Sequence, residues 1–359
     1  MKKIRLAIIG VGMAFEKLHY PALKELADKY QIVALCDVDK NKVETWGQRL
    51  GLKIQDLYTN YRQMLNRTDI DAYNILVPIE LNFEVMETVA QTGKPIICEK
   101  PLAPNREEAE RARDLPKKYN IPIMIAENYR YNEENDLIRD LVRTKEIGEV
   151  EYFIYNDVTD FAEQMHGNSF PSTEWRQHPE FPGGIILDYC VHNIAALHHI
   201  FGGVESVHAF ARKMEGNYQY APYSVVQANL QFENGVIGQF SFFNKGKEIQ
   251  RPLVGLRIFG SKGMIYLEER DAGIINIFYN DGGHRMISYQ PRRGYYNELL
   301  NFYKAATGEE QLSSTPEVEF GDAMTVFAIL QSIQDKSTVE VKGELSLLQK
   351  IKRTLAQVF

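Results

Sequence analysis

The sequence predicts an α/β N-terminal unit built on a doubly wound parallel sheet, followed by an α+β unit with a mostly antiparallel sheet. Three observations lead there. Residues 4 to 128 alternate short apolar runs with longer amphipathic stretches. The apolar runs are rich in Ile, Val and Leu without polar alternation, as strands covered by helices on both faces are. After Asn128 the pattern becomes period-2 and aromatic runs broken by tight reversals, the mark of successive hairpins.

In chain order, strands are expected over 5–9, 32–36, 73–77, 95–98 and 121–126, with helices over 41–50, 82–91 and 105–119. The last helix opens on Asn105 as N-cap, with Glu107 and Glu108 in its first turn, where the helix dipole favours acids. A helix over 133–145, closed by Gly148, leads into strands at 150–158, 204–213, 224–232, 236–243, 253–259 and 264–268. Asn234-Gly235 and the Gly260-Ser261-Lys262-Gly263 run supply the reversals. Helices return at 296–306, 322–334 and 345–357. With no repeat and no low-complexity linker, the chain divides tightly near residue 128, into 1–128 and 129–359.

Composition narrows the function classes. Of 359 residues, 44% are hydrophobic and 25% charged, which excludes a disordered or collagen-like chain. The net charge of -7, with signs mixed along the chain, carries no nucleic-acid footprint. No apolar run approaches the ~18 residues that span a bilayer, so no membrane partner is expected. Met1-Lys2-Lys3 and the apolar run after it resemble a signal peptide, but Glu16 and Lys17 follow with no small-x-small cleavage site. Cys36, Cys98 and Cys190 form no close pair, which argues against zinc and disulfides and for a reducing, cytoplasmic setting. No metal site is expected.

The first predicted strand runs into Gly10-Val11-Gly12-Met13-Ala14-Phe15 at the start of a helical segment. In a dinucleotide fold the first glycine makes the tight turn, and the second lets backbone N–H groups approach a pyrophosphate at the positive helix end. Asp37 ends the second apolar run, where an acid accepts hydrogen bonds from the ribose hydroxyls and repels a 2′-phosphate. NAD is therefore the expected cofactor. Phe15 occupies the third fingerprint position, and its ring calls for looser packing of helix on strand.

Cys98-Glu99-Lys100-Pro101 follows the fourth strand, so Lys100 sits at the carboxyl edge of the sheet, where open α/β folds bind ligands. An ammonium there stabilises a reacting oxygen and passes a proton. Farther on, Gly183-Gly184 opens a helical segment carrying Asp188 and His192, four apart and so expected on one helix face. An acid beside a histidine suits proton transfer near neutral pH. His198 and His199 read as packing or surface residues.

Together, Gly10-x-Gly12 with Asp37, Glu99-Lys100-Pro101, Trp175-Arg176, Gly183-Gly184, and Asp188 with His192 resemble the glucose-fructose oxidoreductase, inositol dehydrogenase and rhizopine-catabolism (Gfo/Idh/MocA) family. The resemblance implies a Rossmann domain, then an α+β domain whose open-faced sheet makes homodimer or homotetramer contacts. It implies hydride transfer between nicotinamide and a ring carbon of a sugar, sugar phosphate or inositol-type polyol. Lys100 becomes the catalytic lysine, His192 the proton-transferring histidine, and Asp188 a residue that binds substrate and orients the site. Val77 and Pro78 match the strand-end pair beside the cofactor, where Ile79 and Asn82 replace the family's usual Asn and His. Met13, Ala14 and Glu99 join the cofactor set, and Asn128 and Arg130 match positions lining the cleft. Ala195 and Cys190 also depart from the common pattern, outside the proton chemistry.

For the substrate, Trp175, Tyr129, Tyr131 and Tyr189 are candidates to stack on sugar faces, and Arg130, Arg176, Arg292 and Arg293 to hold a phosphate or carboxylate. Two other classes are open at this stage: a cofactor-binding sensor of the same fold, and a reductase or dihydrodiol dehydrogenase acting on a non-sugar ring.

Overall fold

The computed structural model describes residues 3–159, 164, 168–216, 218–244 and 253–341. The helix expected over 345–357 lies outside the described residues.

The first sheet holds β1 (Ile4–Ile9), β2 (Tyr30–Cys36), β3 (Leu57–Tyr58), β4 (Ala72–Ile75), β5 (Ile96–Glu99) and β6 (Ile123–Ala126). All pair in parallel, in the order β3-β2-β1-β4-β5-β6. The order reverses between β1 and β4, which opens a ligand crevice beyond the carboxyl ends of those strands. The two-residue β3 is an unpredicted addition. Asp39 caps the Lys40–Leu50 helix by accepting from the Asn41 and Lys42 amides, and Asn105 caps Arg106–Tyr119 through the Glu108 amide.

Phe15 is fully buried and meets Trp46 edge-on at 4.8 Å. The looser packing that its ring requires takes the form of a π-helical turn over Phe15–His19. Such turns hold an extra residue and recur at functional sites.

The second sheet contains β7 (Val150–Val158), β8 (Val204–Lys213), β9 (Tyr223–Phe232), β10 (Ile237–Phe243), β11 (Gly255–Gly260), β12 (Gly263–Leu267), β13 (Ile274–Tyr279), β14 (His284–Ser288) and β15 (Val339–Glu340). Their order is β14-β13-β12-β11-β7-β10-β9-β8-β15, antiparallel except for the parallel β10–β7 pair. The strands β13, β14 and β15 were not predicted. One face buries Phe153, Ile258, Ile265 and Ile277, and the Pro316–Asp335 helix packs on β8. The other face presents Tyr152, Phe210, Ile237 and Phe278 to solvent.

The Gly294–Ala306 helix returns to the first sheet. Its Leu299, Phe302 and Tyr303 share an apolar cluster with Leu6, Ile8 and Leu26, and the Tyr30 hydroxyl donates to the Leu299 carbonyl at 2.5 Å. By packing, this stretch after residue 128 sides with the parallel sheet.

Replacing Phe15 with Ala should destabilise the protein by about 3–5 kcal/mol, the usual cost of emptying a buried aromatic site. Urea unfolding checks this.

Candidate active site

The cofactor end is built first by close backbone approach. Gly10 has φ +96°, and a Cβ there would lie 2.1 Å from the Leu76 carbonyl oxygen, so β1 turns directly against the chain leaving β4. Val77 and Pro78 follow Leu76, partly exposed at the same edge. A Cβ at Gly12 would meet nothing within 4 Å. The Asp37 carboxylate accepts from the Val11 amide at 2.9 Å and the Asp39 amide at 3.0 Å, which ties the end of β2 to the glycine turn. Met13 and Ala14 begin the following helix, both partly exposed. Asn128 is buried, and its Oδ1 has no partner among the described residues. The open space at Gly12, the acid at the strand end and the unpaired amide oxygen fit a bound dinucleotide.

Lys100 follows β5, and its peptide bond to Pro101 is cis. The Asn82 amide donates to the carbonyls of Glu99 and Pro101, each at 2.9 Å, which fixes this turn. Below it, the buried Glu99 carboxylate pairs with His19 at 2.8 Å and accepts from the Lys100 amide at 3.1 Å. Burial alone would raise the Glu99 carboxyl, but His19, with help from Lys100, holds it below its ordinary range.

The Lys100 ammonium donates to Oδ1 of Asp188 at 2.7 Å and to the Asp188 carbonyl at 2.6 Å, leaving one N–H for a ligand. Arg176 reaches the same carboxylate at 2.6 Å and 3.4 Å, and the Tyr220 hydroxyl donates to it at 2.6 Å. Burial again acts to raise Asp188, but Arg176 and Lys100 outweigh it and hold the carboxyl far below its ordinary value. Gly184 makes this possible: at φ +51° it lies so close to Tyr220 that a Cβ would sit 2.0 Å from the Tyr220 carbonyl oxygen. With four donors on its carboxylate, Asp188 has little capacity left for a substrate hydroxyl.

The expected pairing of Asp188 with His192 does not form. Asp188 ends one helical turn (Ile185–Asp188), and His192 lies in the next helix, Cys190–Phe201, after a break at Tyr189. His192 instead places Nδ1 2.6 Å from Oε1 of Glu127, at the end of β6. The Tyr129 ring stacks on the imidazole at 4.6 Å with an interplanar angle of 13°. A carboxylate only accepts, so Nδ1 carries the proton and Nε2 is the basic nitrogen. Glu127 was not singled out in the sequence; its only signal is its place at a parallel strand's carboxyl end, which it shares with Glu99.

The four arginines proposed for an anion are all engaged. Arg130 is buried and paired with Glu319, at 2.5 Å, and with Asp322. It ties the crossover segment to the Pro316–Asp335 helix, which corrects its expected place in the substrate cleft. Arg176 is held by Asp188 and lies 4.0 Å over the Trp175 ring, so one face of that tryptophan is occupied. Arg292 pairs with Asp271 and Arg293 with Glu25. The Tyr131 hydroxyl is buried on Asn301 and Ser314, a packing role, whereas Tyr189 meets the His192 ring edge-on. His198 pairs with Asp322 and His199 with Asp136. Among the described residues no group of three or more His, Cys, Asp or Glu side chains is arranged to hold a metal.

Glu298 is fully buried, and neither carboxyl oxygen has a hydrogen-bond partner among the described residues. Burial, reinforced by the charges of Glu99, Glu127 and Glu319, pushes its carboxyl well above the ordinary range. The folded protein therefore keeps this proton at pH values where the unfolded chain releases it. Glu298 by itself contributes a loss of stability as pH rises above its unfolded value near ~4.3, of about 1.4 kcal/mol per pH unit while it stays protonated. Glu298→Gln should remove that slope, so the variant gains on the wild type between pH 5 and about pH 8 in denaturant melts.

Comparison with known proteins agrees with this geometry. Residues 4–127 match the family model described as "Oxidoreductase family, NAD-binding Rossmann fold", and residues 136–266 match the "GFO/IDH/MocA C-terminal domain". The Saccharomyces cerevisiae protein YMR315W is 26% identical over 92% of this chain and 96% of its own. The myo-inositol 2-dehydrogenase of Thermotoga maritima is 21% identical over 94% of this chain and 99% of its own. Among solved structures, an oxidoreductase of Thermotoga maritima superposes with a TM-score of 0.82 at 26% identity, covering 95% of this chain and 99% of that one. A levoglucosan dehydrogenase in complex with NADH and levoglucosan shares the fold, with a TM-score of 0.82 at 22% identity, over 95% and 100% of the two chains. The glycine turn, Asp37, Lys100, Glu127 and His192 all fall within the matched regions, and the chain belongs to the GFO/IDH/MocA oxidoreductase family with an NAD-binding Rossmann domain.

Proposed function

We propose that the protein is a NAD-dependent dehydrogenase acting on a secondary alcohol or ketone in the ring of a sugar or polyol. The observation that carries this reading is the separate setting of two proton-handling groups at one sheet edge. Lys100 is held by Asp188 and His192 by Glu127, at 2.7 Å and 2.6 Å. A regulator that only bound the cofactor would have no need of either arrangement.

In the oxidation direction, Nε2 of His192 takes the hydroxyl proton while Glu127 stabilises the imidazolium through Nδ1. The free N–H of Lys100 donates to the same oxygen and stabilises its developing charge. The bound nicotinamide supplies the hydride acceptor. Gly10, Gly12, Met13 and Ala14 would hold the pyrophosphate end, Asp37 the adenosine ribose, and Val77, Pro78 and Asn128 the nicotinamide end. Glu99 acts from below the site by fixing the lysine turn. Asp188 serves as the clamp on Lys100, and Trp175 and Tyr189 offer ring surface to a substrate.

Asp37 also underlies the preference for NAD. Its carboxylate would meet the adenosine ribose, and Val38, which follows it, is 91% exposed and offers no charge to a 2′-phosphate. The aromatic face of the second sheet, where Tyr152 stacks on Phe259 at 4.5 Å in the open, supports assembly into a homo-oligomer through that face. The buried, separate cysteines are in keeping with a cytoplasmic setting.

Lys100→Met should lower turnover by about 10²–10⁴-fold while NADH binding persists, because Arg176 and Tyr220 still satisfy Asp188. Near-normal turnover of this variant with the preferred substrate would refute the role of Lys100. In parallel fluorescence titrations NADH should bind more tightly than NADPH, and the order should narrow or reverse in Asp37→Ser.

A further inference from the structure

Lys100 and the four candidate arginines are engaged one by one: Lys100 and Arg176 by Asp188, Arg130 by Glu319 and Asp322, Arg292 by Asp271 and Arg293 by Glu25. Arg270, in the turn between β12 and β13, differs. No carboxylate of a described residue lies within ion-pair distance of it, and its guanidinium carbon stands 4.7 Å over the ring of Tyr129. That is the ring stacked on His192. The turn is anchored, since the Tyr289 hydroxyl donates to the Glu269 and Arg270 carbonyls at 3.1 Å and 2.7 Å. The adjacent acid, Asp271, is taken up by Arg292, at 2.8 Å through Nε.

We propose that Arg270 is a specificity residue of this site and that it receives the carboxylate of an acidic sugar oxidised beside His192. The assignment rests on the dehydrogenase reading above and narrows its substrate to sugar acids such as uronates. A guanidinium presents a planar fork that binds a carboxylate through two parallel hydrogen bonds. Tyr129 already holds that fork over its ring, so less freedom is lost when the anion arrives. A single guanidinium balances one negative charge. A phosphate ester would bring about 1.5 to 2 charges, and the arginines able to share that excess are committed to carboxylates.

Calorimetric titration of the NADH-loaded protein with matched pairs tests this: glucose and glucuronate, galactose and galacturonate, mannose and mannuronate, with glucose 6-phosphate as the phosphate arm. At least one uronate should bind about tenfold or more tightly than its neutral partner, the order of one charge-assisted hydrogen bond. Arg270→Gln should bring that ratio close to one. Arg270→Lys, which keeps the charge and loses the fork, should fall between. A thermal melt identifies a Gln variant that has failed to fold, and the Lys variant then decides. The proposal is overturned if no uronate binds more tightly than its neutral partner, if the ratio survives loss of the guanidinium, or if glucose 6-phosphate binds more tightly than every uronate. Uronate binding that depends on Arg270, without NAD reduction by any sugar, would instead count against the dehydrogenase reading alone.

Discussion

The ion pair between Lys100 and Asp188 is the constraint on which the site depends. It joins the carboxyl edge of the parallel sheet to the turn before the Cys190–Phe201 helix, with the two side chains only 11% and 4% exposed. Charges buried to this degree are stabilising only when the remaining hydrogen-bonding capacity is filled. Arg176 and Tyr220 fill that of the carboxylate, and both lie outside the parallel sheet. The lysine belongs to one part of the molecule, and the groups that set its charge and direction belong to the other. Formation of the site thus requires the docking of the two parts.

A second organising feature is repetition at adjacent strands. Glu99 ends β5 and Glu127 follows β6, and each is paired with one histidine. Both carboxylates act electrostatically on Glu298, which adds a third acid to the same interior. Three ionised carboxylates there would repel one another in a poorly solvated space. His19 stabilises Glu99, His192 is paired with Glu127, and Glu298, which has no such partner among the described residues, keeps its proton. The two histidines differ in setting: His19 is fully buried and secures the lysine turn, whereas His192 engages Glu127 through Nδ1.

The parts of this architecture legible in the sequence were those encoded locally. Unbroken Ile/Val/Leu runs locate the parallel strands, and glycine and proline locate the turns around Gly10 and Lys100. Spacing misleads where the chain breaks: Asp188 and His192 are four apart, but Tyr189 interrupts the helix and sends them to different partners. Glu127, beyond its place at a strand's carboxyl end, and Tyr220 carry no local signal, because their roles come from contacts made 65 and 32 residues away in the chain. Arg130 illustrates the converse. Its sequence position fits the cleft, but two buried acids on a distant helix claim its side chain. The strands β13 and β14 follow from pairing with β12 across the edge of the second sheet, a contact that their own composition only weakly announces.

Phe15 shows how a departure from a local pattern is absorbed. A small residue at this position lets a regular helix lie close on β1, but an aromatic ring cannot occupy that space. The helix widens into a π turn, the ring enters the apolar cluster beside Trp46, and the turn ends on His19. His19 then lies fully buried, where Asn74 contacts Nδ1 at 3.1 Å and Glu99 engages Nε2. An amide donor on Nδ1 fixes the proton on Nε2, so the histidine donates to Glu99, and the other oxygen of that carboxylate accepts from the Lys100 amide. The residue that departs from the dinucleotide fingerprint is thereby connected, through one turn of helix and two hydrogen bonds, to Lys100.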